Sequence, residues 1–314
     1  MTPSSASPRI HVLAVVGPTA VGKTAVAEDV ALRRDGEIIS ADSMQVYKEM
    51  DIGSAKLPPS ERKVAHWCVD LLEPGQPFSA ALYQREARAA IEDVLRRGKL
   101  PMVVGGSGLY VRAALDPLEF PGGEQTNNAV RAGYEAYAAE HGPEALYALL
   151  VKRDPKSAAV VHQNNTRRVL RALEMLDEGA SYAQQRQGFS ARDSIYDTTF
   201  IGLTMDRGSL YKRIDLRVDA MIEAGLLEEV RALVDAGLRN ALTARQAIGY
   251  KEFVPVVERG ADLDDAIAAV KRASRRYAKR QLTWFRADPR VTWIDITDRS
   301  RAQATEAVLG AIDW

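Results

Sequence analysis

The segment Gly17-Pro18-Thr19-Ala20-Val21-Gly22-Lys23-Thr24 constrains this chain more than any other. It fits the pattern G-x-x-x-x-G-K-[ST], in which a glycine-rich turn aims successive backbone N–H groups at phosphate oxygens. An apolar run at residues 10–16 leads into it and reads as a buried strand; a helical pattern at residues 24–33 follows. That helix adds the positive end of its dipole to the turn. Lys23 contributes a full positive charge, and the Thr24 hydroxyl suits Mg²⁺. The loop reads phosphate and not what phosphate is attached to, so ATP, GTP and an isoprenoid diphosphate satisfy it equally.

Beyond the loop, short apolar runs alternate with helical patterns. Strands are expected at residues 37–40 and 101–104, and a helix capped by Ser79 is expected to run to about Arg97. Such alternation predicts a parallel sheet with helices on both faces. Residues 116–125 contain two prolines and two adjacent glycines and read as a linker. An alanine-rich helical stretch follows, from Asn127 to about Gly179, and reads as an insertion. A strand is expected again at residues 199–204. After it come mostly helices, one starting near Ser209 with Tyr211, Ile214, Val218, Met221 and Ile222 as its apolar stripe. A late strand at residues 291–296 and a helix at 302–312 close the chain. The expected organisation is a disordered tail at 1–9, a core of 10–118 and 196–314, and a helical insertion at 119–195.

Ser40-Ala41-Asp42-Ser43-Met44-Gln45-Val46-Tyr47 follows the second strand. Ligands of open parallel sheets sit beyond the carboxyl ends of the strands. Asp42 is therefore expected to share a crevice with Lys23, as a metal ligand, a general base, or simply a turn residue. Asp51-Ile52-Gly53-Ser54-Ala55-Lys56 and Gly105-Gly106-Ser107-Gly108-Leu109-Tyr110 are expected to border the same crevice.

Net charge is zero, so any nucleic-acid binding has to come from local basic patches. Lys271, Arg272, Arg275, Arg276, Lys279 and Arg280 crowd one helical stretch that ends in Trp284-Phe285-Arg286. Basic charge beside aromatic rings suits an RNA backbone with stacked bases; a solvated face over an apolar core is the plainer alternative. Arg167, Arg168 and Arg171 cluster in the insertion. Arg213 and Arg217 share a helix face and reach either acids or an anionic ligand. With one cysteine, no internal disulfide can form and a zinc cluster is disfavoured, and His66, His141 and His162 are scattered. No signal peptide or membrane span is read from the N-terminal stretch, which predicts a cytoplasmic protein.

Taken together, GPTAVGKT at Gly17, SADSMQVY at Ser40, DIGSAK at Asp51, GGSGLY at Gly105, NTRRVLRALE at Asn165, QAIGYKE at Gln246 and KRQLTWFR at Lys279 resemble the bacterial tRNA dimethylallyltransferase family. The resemblance covers nearly the whole chain. It implies an α/β fold, a P-loop NTPase-like parallel sheet flanked by helices, with an all-helical insertion domain that clamps the anticodon stem-loop. It implies transfer of a dimethylallyl group from dimethylallyl diphosphate to the N6 amine of the adenosine 3′ of the anticodon in tRNA, with Mg²⁺. Asp42 then corresponds to the general base. Gly17 to Thr24 hold the diphosphate, assisted by Thr19 and Arg217, and Thr24 meets the metal. The tRNA side comprises Asp42, Ser43, Met44, Gln45, Ser107 and Arg131; Thr166, Arg167, Arg168, Val169 and Leu170; Ala247, Ile248, Gly249, Tyr250, Lys251 and Glu252; and Lys279, Arg280, Gln281, Leu282, Thr283, Trp284, Phe285 and Arg286. A monomer without membrane contact is expected.

The chain departs from the family pattern at a few places. Ser54 and Ser107 replace threonine, Trp67 stands where a second histidine is common, and Gln163 and Asn165 replace proline and aspartate. The serines keep the hydroxyl, whereas the insertion changes bear on individual tRNA contacts. The alternatives are an adenylate isopentenyltransferase acting on AMP, a small-molecule kinase in which Asp42 activates a hydroxyl, and an RNA-binding protein with an idle loop.

Overall fold

The computed structural model describes residues 11–120, 129–241 and 243–312; the expected tail and residues 121–128, with the second half of the linker, lie outside them. The chain divides into two compact units, one of residues 1–116 and 194–314 and one of residues 117–193. Each dividing point falls two residues before the one expected from sequence.

The first unit is built on six strands: β1 (His11–Val16), β2 (Gly36–Ala41), β3 (His66–Trp67), β4 (Leu100–Gly105), β5 (Asp197–Thr204) and β6 (Val291–Asp295). They lie in the order β3-β2-β4-β1-β5-β6, every pair parallel. This is the expected P-loop NTPase-like sheet. β1 is central and covered on both faces, which is why residues 12–16 are all apolar and fully buried. The expected strands fall within three residues of the observed ones at every end. β3 is not among the expected strands; its two residues pair with Ile38 and Ile39 of β2 at the sheet edge.

Helices α1 (Lys23–Arg34), α2 (Ala80–Arg96) and α3 (Gly108–Leu115) precede the second unit. The Ser79 side chain accepts from Leu82 N–H at the start of α2, the cap read from sequence. The second unit consists of α4 (Ala129–Arg153), α5 (Pro155–Ala158), α6 (Thr166–Asp177) and α7 (Tyr182–Gly188). α4 kinks at Gly142, whose φ of 86° precedes Pro143. Its core is Leu146 and Leu150 against Val161, Val169, Leu170 and Leu173. Asn165 accepts from Arg168 N–H at 3.2 Å and so caps α6, work that the usual aspartate does equally well.

α8 (Arg207–Glu223), α9 (Leu226–Asp235), α10 (Tyr250–Arg259), α11 (Leu263–Arg286) and α12 (Arg301–Leu309) complete the first unit. α8 starts earlier than Ser209 because Asp206 is the cap and Ser209 donates to it. Asp116, read as the first linker residue, instead ends the core. It is fully buried and accepts from Arg112 Nε at 2.6 Å and Arg290 Nη1 at 2.7 Å.

Register fixes the rim. Gly105 lies opposite both Val16 and Ala41, so β1, β2 and β4 end level. The next residues, Gly17, Asp42 and Gly106, therefore emerge along one edge of the sheet.

A buried carboxylate holds the other side of β2. Glu37 accepts from Arg97 at 2.5 and 2.7 Å and from Trp67 Nε1 at 2.8 Å, so the departure at Trp67 has a structural use. The Arg97 hydrogen bonds, opposed by burial, pull the Glu37 carboxyl from its ordinary 4.5 down to about 2. A carboxyl depressed on folding stabilises fully above the unfolded value, and that contribution fades as pH falls through the folded one. Glu37→Gln is expected to lose about 1–3 kcal/mol at pH 7, the range for a hydrogen-bonded charge. The gap from wild type should close between pH 4.5 and 2 in urea titrations; a gap independent of pH would refute this account.

Candidate functional site

The phosphate loop departs from ordinary backbone where the sequence allows it. Gly17 has φ 144° and Gly22 φ 102°; a Cβ on Gly17 would strike the Leu203 carbonyl oxygen on β5. Ala20, at φ 63°, makes the remaining left-handed step. Lys23 opens α1, and its Nζ donates to the Pro18 carbonyl at 2.7 Å, across the loop it belongs to. Arg217, on α8, donates to Thr19 Oγ1 at 3.3 Å, and Arg213, one turn away, donates to the Val21 carbonyl at 3.3 Å. Neither arginine takes an acid partner among the described residues; both donate to the phosphate loop itself. Three cations thus converge on one turn. Burial first, then the charge of Arg217, lowers the Lys23 ammonium from 10.5 to about 7, against the pull of Asp42. Burial likewise lowers Arg217, again opposed by Asp42. Such a cluster calls for an anion.

Asp42 faces this cluster from the end of β2, one strand removed across β4. Its Oδ1 accepts from Met44 N–H at 2.9 Å, a tight turn that fixes the carboxylate. Gln45 is tied locally, to Ser40 Oγ at 2.9 Å. A cavity of about 580 Å³ is lined by Lys23, Thr24, Asp42, Gly106, Arg217 and Gln281. A second, of about 350 Å³, is lined by Asp42, Ser43, Met44, Met221, Ala247, Ile248, Gly249, Lys251 and Arg280, with the apolar Ile214, Val218 and Val270. Thr19, Asp42, Arg217, Met221 and Tyr277 border both cavities, so the half that holds Lys23 and the phosphate loop adjoins a half walled by Ile214, Val218 and Val270 together with Arg276 and Arg280.

α11 braces the phosphate loop from the far end of the chain. Gln281 accepts from Thr19 N–H at 2.8 Å through Oε1 and donates to the Gly106 carbonyl at 3.0 Å through Nε2. A side chain on Gly108 would collide with Trp284. The basic face of α11 splits into two groups. Lys271 and Arg275 are neutralised by Asp219 at 2.5 Å and Asp215 at 2.9 Å of α8. Arg272, Arg276, Lys279, Arg280 and Arg286 are exposed, as are Thr283 and Trp284; Leu282 is half-buried and Phe285 buried.

The IPP transferase family model matches residues 45–288, and a model described as isopentenyl transferase matches residues 10–66. The chain belongs to the IPP transferase family. A tRNA dimethylallyltransferase of Carboxydothermus hydrogenoformans is 48% identical, covering 94% of this chain and 95% of the relative. One from Geobacillus thermodenitrificans is 49% identical, covering 91% of each. Among solved structures, the tRNA isopentenylpyrophosphate transferase of Bacillus halodurans superposes with a TM-score of 0.70 at 42% identity, covering 96% of this chain and 97% of that one. A eukaryotic dimethylallyltransferase acting on tRNA superposes with a TM-score of 0.80 at 30% identity, covering 95% and 77%.

The IPP transferase motifs are distributed unevenly between crevice and scaffold. Lys56 borders the larger cavity, as expected of a second crevice lysine, but its ammonium is committed to the scaffold: Nζ donates to Tyr47 O at 2.7 Å, Asp51 at 2.5 Å and Asp70 at 2.6 Å. Ser107 starts α3 without capping it and is half-buried. In the stretch from Ala247 to Glu252, Ala247 and Tyr250 are buried, while Glu252 accepts from Gly249 N–H to cap α10. In the second unit Thr166 is half-buried and Arg167 and Arg168 are exposed, with no carboxylate partner among the described residues. Val169 and Leu170 point into the core, so they offer no side chain to a ligand. Arg131 is engaged with Glu135 at 2.8 Å and Glu174 at 3.3 Å.

Tyr277 was missed by sequence reading. It precedes Gln281 by one helical turn, and that spacing was the available signal. Burial, with the charge of Asp42 adding, raises its phenol pKa, so it stays protonated. Met221 belonged to the expected apolar stripe but lines the crevice.

Proposed function

We propose that this chain transfers a dimethylallyl group from dimethylallyl diphosphate to the N6 amine of the adenosine 3′ of the anticodon in tRNA. The observation that carries this reading is the crevice in which Lys23, Arg217 and the phosphate loop adjoin Asp42 and an apolar wall.

The chemistry suits these groups. An adenine amine is a weak nucleophile, but the allylic carbon spreads charge as its C–O bond lengthens. The charge that develops falls on the departing diphosphate. Loop N–H groups, Lys23 and Arg217 are already aimed there, the preorganised electrostatics that lowers such barriers. Thr19, held by Arg217 and Gln281, orients the diphosphate beside them. As N6 bonds to the allylic carbon, Asp42 accepts the amine proton; one oxygen is fixed by Met44, and the other takes no hydrogen bond among the described residues.

A divalent cation, Mg²⁺ by its usual preference, fits beside this loop. Mg²⁺ takes one or two protein oxygens together with ligand phosphates. Thr24 is exposed on the half that holds the phosphate loop and supplies such an oxygen, with Asp42 on the same wall. No larger His, Cys, Asp or Glu group occurs among the described residues. The cation would neutralise diphosphate charge.

The adenine has to leave its stack to reach Asp42, as for other base-modifying enzymes. Exposed Arg276, Lys279, Arg280 and Arg286, and Arg167 and Arg168 of the helical unit, are assigned to the tRNA backbone. Trp284 and Tyr277 offer rings to bases. That unit is the proposed clamp on the anticodon stem-loop. Ion pairing makes Arg131 a weaker candidate than Arg167 and Arg168. The enzyme is proposed to act as a monomer in the cytoplasm. No described helix is long and apolar enough to cross a membrane.

Labelled dimethylallyl diphosphate offered with tRNA or with AMP tests the reading. Label in tRNA supports it; label in AMP alone, or in neither, overturns it. The tRNA surface has its own test. Phosphate contacts release counterions, so affinity should fall steeply with salt. Charge reversal at Lys279 and Arg280 should weaken tRNA binding and reduce the log–log salt slope by about 2, near one unit per lost contact. Dimethylallyl diphosphate binding should not change. Unmoved tRNA affinity and slope would remove this helix from the interface.

A further inference from the structure

The loop Asp51-Ile52-Gly53-Ser54-Ala55-Lys56 forms a wall of the crevice: Gly53 and Ser54 border the smaller cavity, and all but Gly53 border the larger. What holds this wall is a carboxylate behind it. Glu229 lies on α9 and lines neither cavity. Its Oε2 accepts from the backbone N–H of Asp51 at 3.0 Å and of Ile52 at 2.7 Å; its Oε1 accepts from Gly53 N–H at 3.1 Å. The Tyr250 hydroxyl donates to the same Oε1 at 2.6 Å. Three consecutive amides thus form a concave anion site, which the protein fills with its own side chain.

Tyr250 locks the arrangement sterically. A Cβ added to Gly53 would lie 2.5 Å from the Tyr250 ring, so loop and ring interlock only because residue 53 is glycine. Tyr250 is fully buried and begins α10, directly after Ala247, Ile248 and Gly249, which line the crevice opposite. The phenol keeps its proton, since burial and then the Glu229 charge both raise its pKa. One carboxylate therefore joins the DIGSAK loop to the QAIGYKE segment, two walls between which the acceptor has to enter.

We infer that Glu229 is a positioning residue for the acceptor, setting the width of the crevice between Gly53-Ser54 and Ala247-Gly249. This rests on the proposed prenyl transfer to tRNA. The phosphate loop is braced separately, by Gln281, Arg213 and Arg217. Loss of Glu229 should then injure acceptor use and spare donor binding.

Glu229→Gln keeps the shape, but its amide turns an N–H toward at least one backbone N–H or the phenol. Glu229→Ala empties the concave site, and Tyr250→Phe removes a single donor. With folding checked by circular dichroism and wild type assayed alongside, kcat/KM for tRNA should drop by about tenfold or more for both Glu229 variants, the scale of a misplaced reacting group. It should drop less for Tyr250→Phe. Dimethylallyl diphosphate affinity, measured directly, should stay within about twofold, a change near the noise of additive single-site effects. Added formate fits between the three amides and should restore part of the transfer to Glu229→Ala and none to wild type. Folded Glu229→Gln with wild-type tRNA kinetics would overturn the inference. So would a parallel loss of donor affinity, or failure of formate to act on folded Glu229→Ala. If wild type itself moves no prenyl group to tRNA, it is the function that fails. Should Glu229→Ala not fold, Glu229→Gln decides alone.

Discussion

Asp42→Asn is expected to slow prenyl transfer by about 10²–10⁴-fold, the range for losing a general base. The asparagine keeps the shape and retains an oxygen to accept from Met44 N–H, so the turn after β2 should survive. What it loses is the capacity to take the proton that N6 sheds when it becomes a secondary amine. A rate effect is therefore expected in single-turnover chemistry, while tRNA affinity changes much less. Lys23 and Arg217 both feel the Asp42 charge. Its removal takes away a negative charge that repels the diphosphate but also the pull that keeps Lys23 protonated; the two effects oppose, so donor affinity should change little. Unchanged single-turnover chemistry would reduce Asp42 to a turn residue or a metal neighbour. A loss in donor binding as large as the loss in rate would make it a metal ligand.

How far the site was legible in sequence depends on how local its geometry is. The phosphate loop could be read because backbone amides and a left-handed Gly22 require fixed residues at fixed spacing. Asp42 could be placed beside it because strand ends in a parallel sheet lie level, as the pairing of Gly105 with Val16 and Ala41 bears out. The bracing could not be read in this way. Gln281 meets Thr19 across 262 positions, and Glu229 meets Ile52 across 177. Neither side chain differs locally from an ordinary helix residue. KRQLTWFR stood out as basic and aromatic, yet Gln281 and Phe285 face inward while Lys279, Arg280 and Trp284 face out. NTRRVLRALE divides the same way, with Val169 and Leu170 in the core. A linear motif mixes the two faces of a helix; only packing separates them. Lys271 and Arg275 show the same limit from the charge side, since their acidic partners come from another helix; of the two acids on Lys56, Asp51 stands in its own motif and Asp70 lies fourteen residues on.

Lys23→Ala should abolish measurable transfer, with a loss of about 10²–10³-fold or more from removing one preorganised charge at the leaving group. The same change should leave the fold intact and make it less sensitive to pH. With its pKa depressed from 10.5 to about 7, Lys23 binds fewer protons in the folded than in the unfolded chain across that interval. Stability therefore rises with pH from 7 to 10.5, and below pH 7 the charged lysine disfavours folding. Lys23→Met, which keeps the apolar stem and removes the charge, should raise the melting temperature at pH 7 and flatten that slope. Ligand binding has the opposite linkage. A diphosphate beside Lys23 favours the charged form, so binding above pH 7 takes up a proton and weakens as pH climbs. Calorimetry in buffers of different ionisation enthalpy would register that uptake in wild type and its disappearance in Lys23→Met. Near-normal transfer by a folded Lys23→Ala would remove the phosphate loop from the mechanism. Undiminished proton uptake by Lys23→Met would assign the titration to another group.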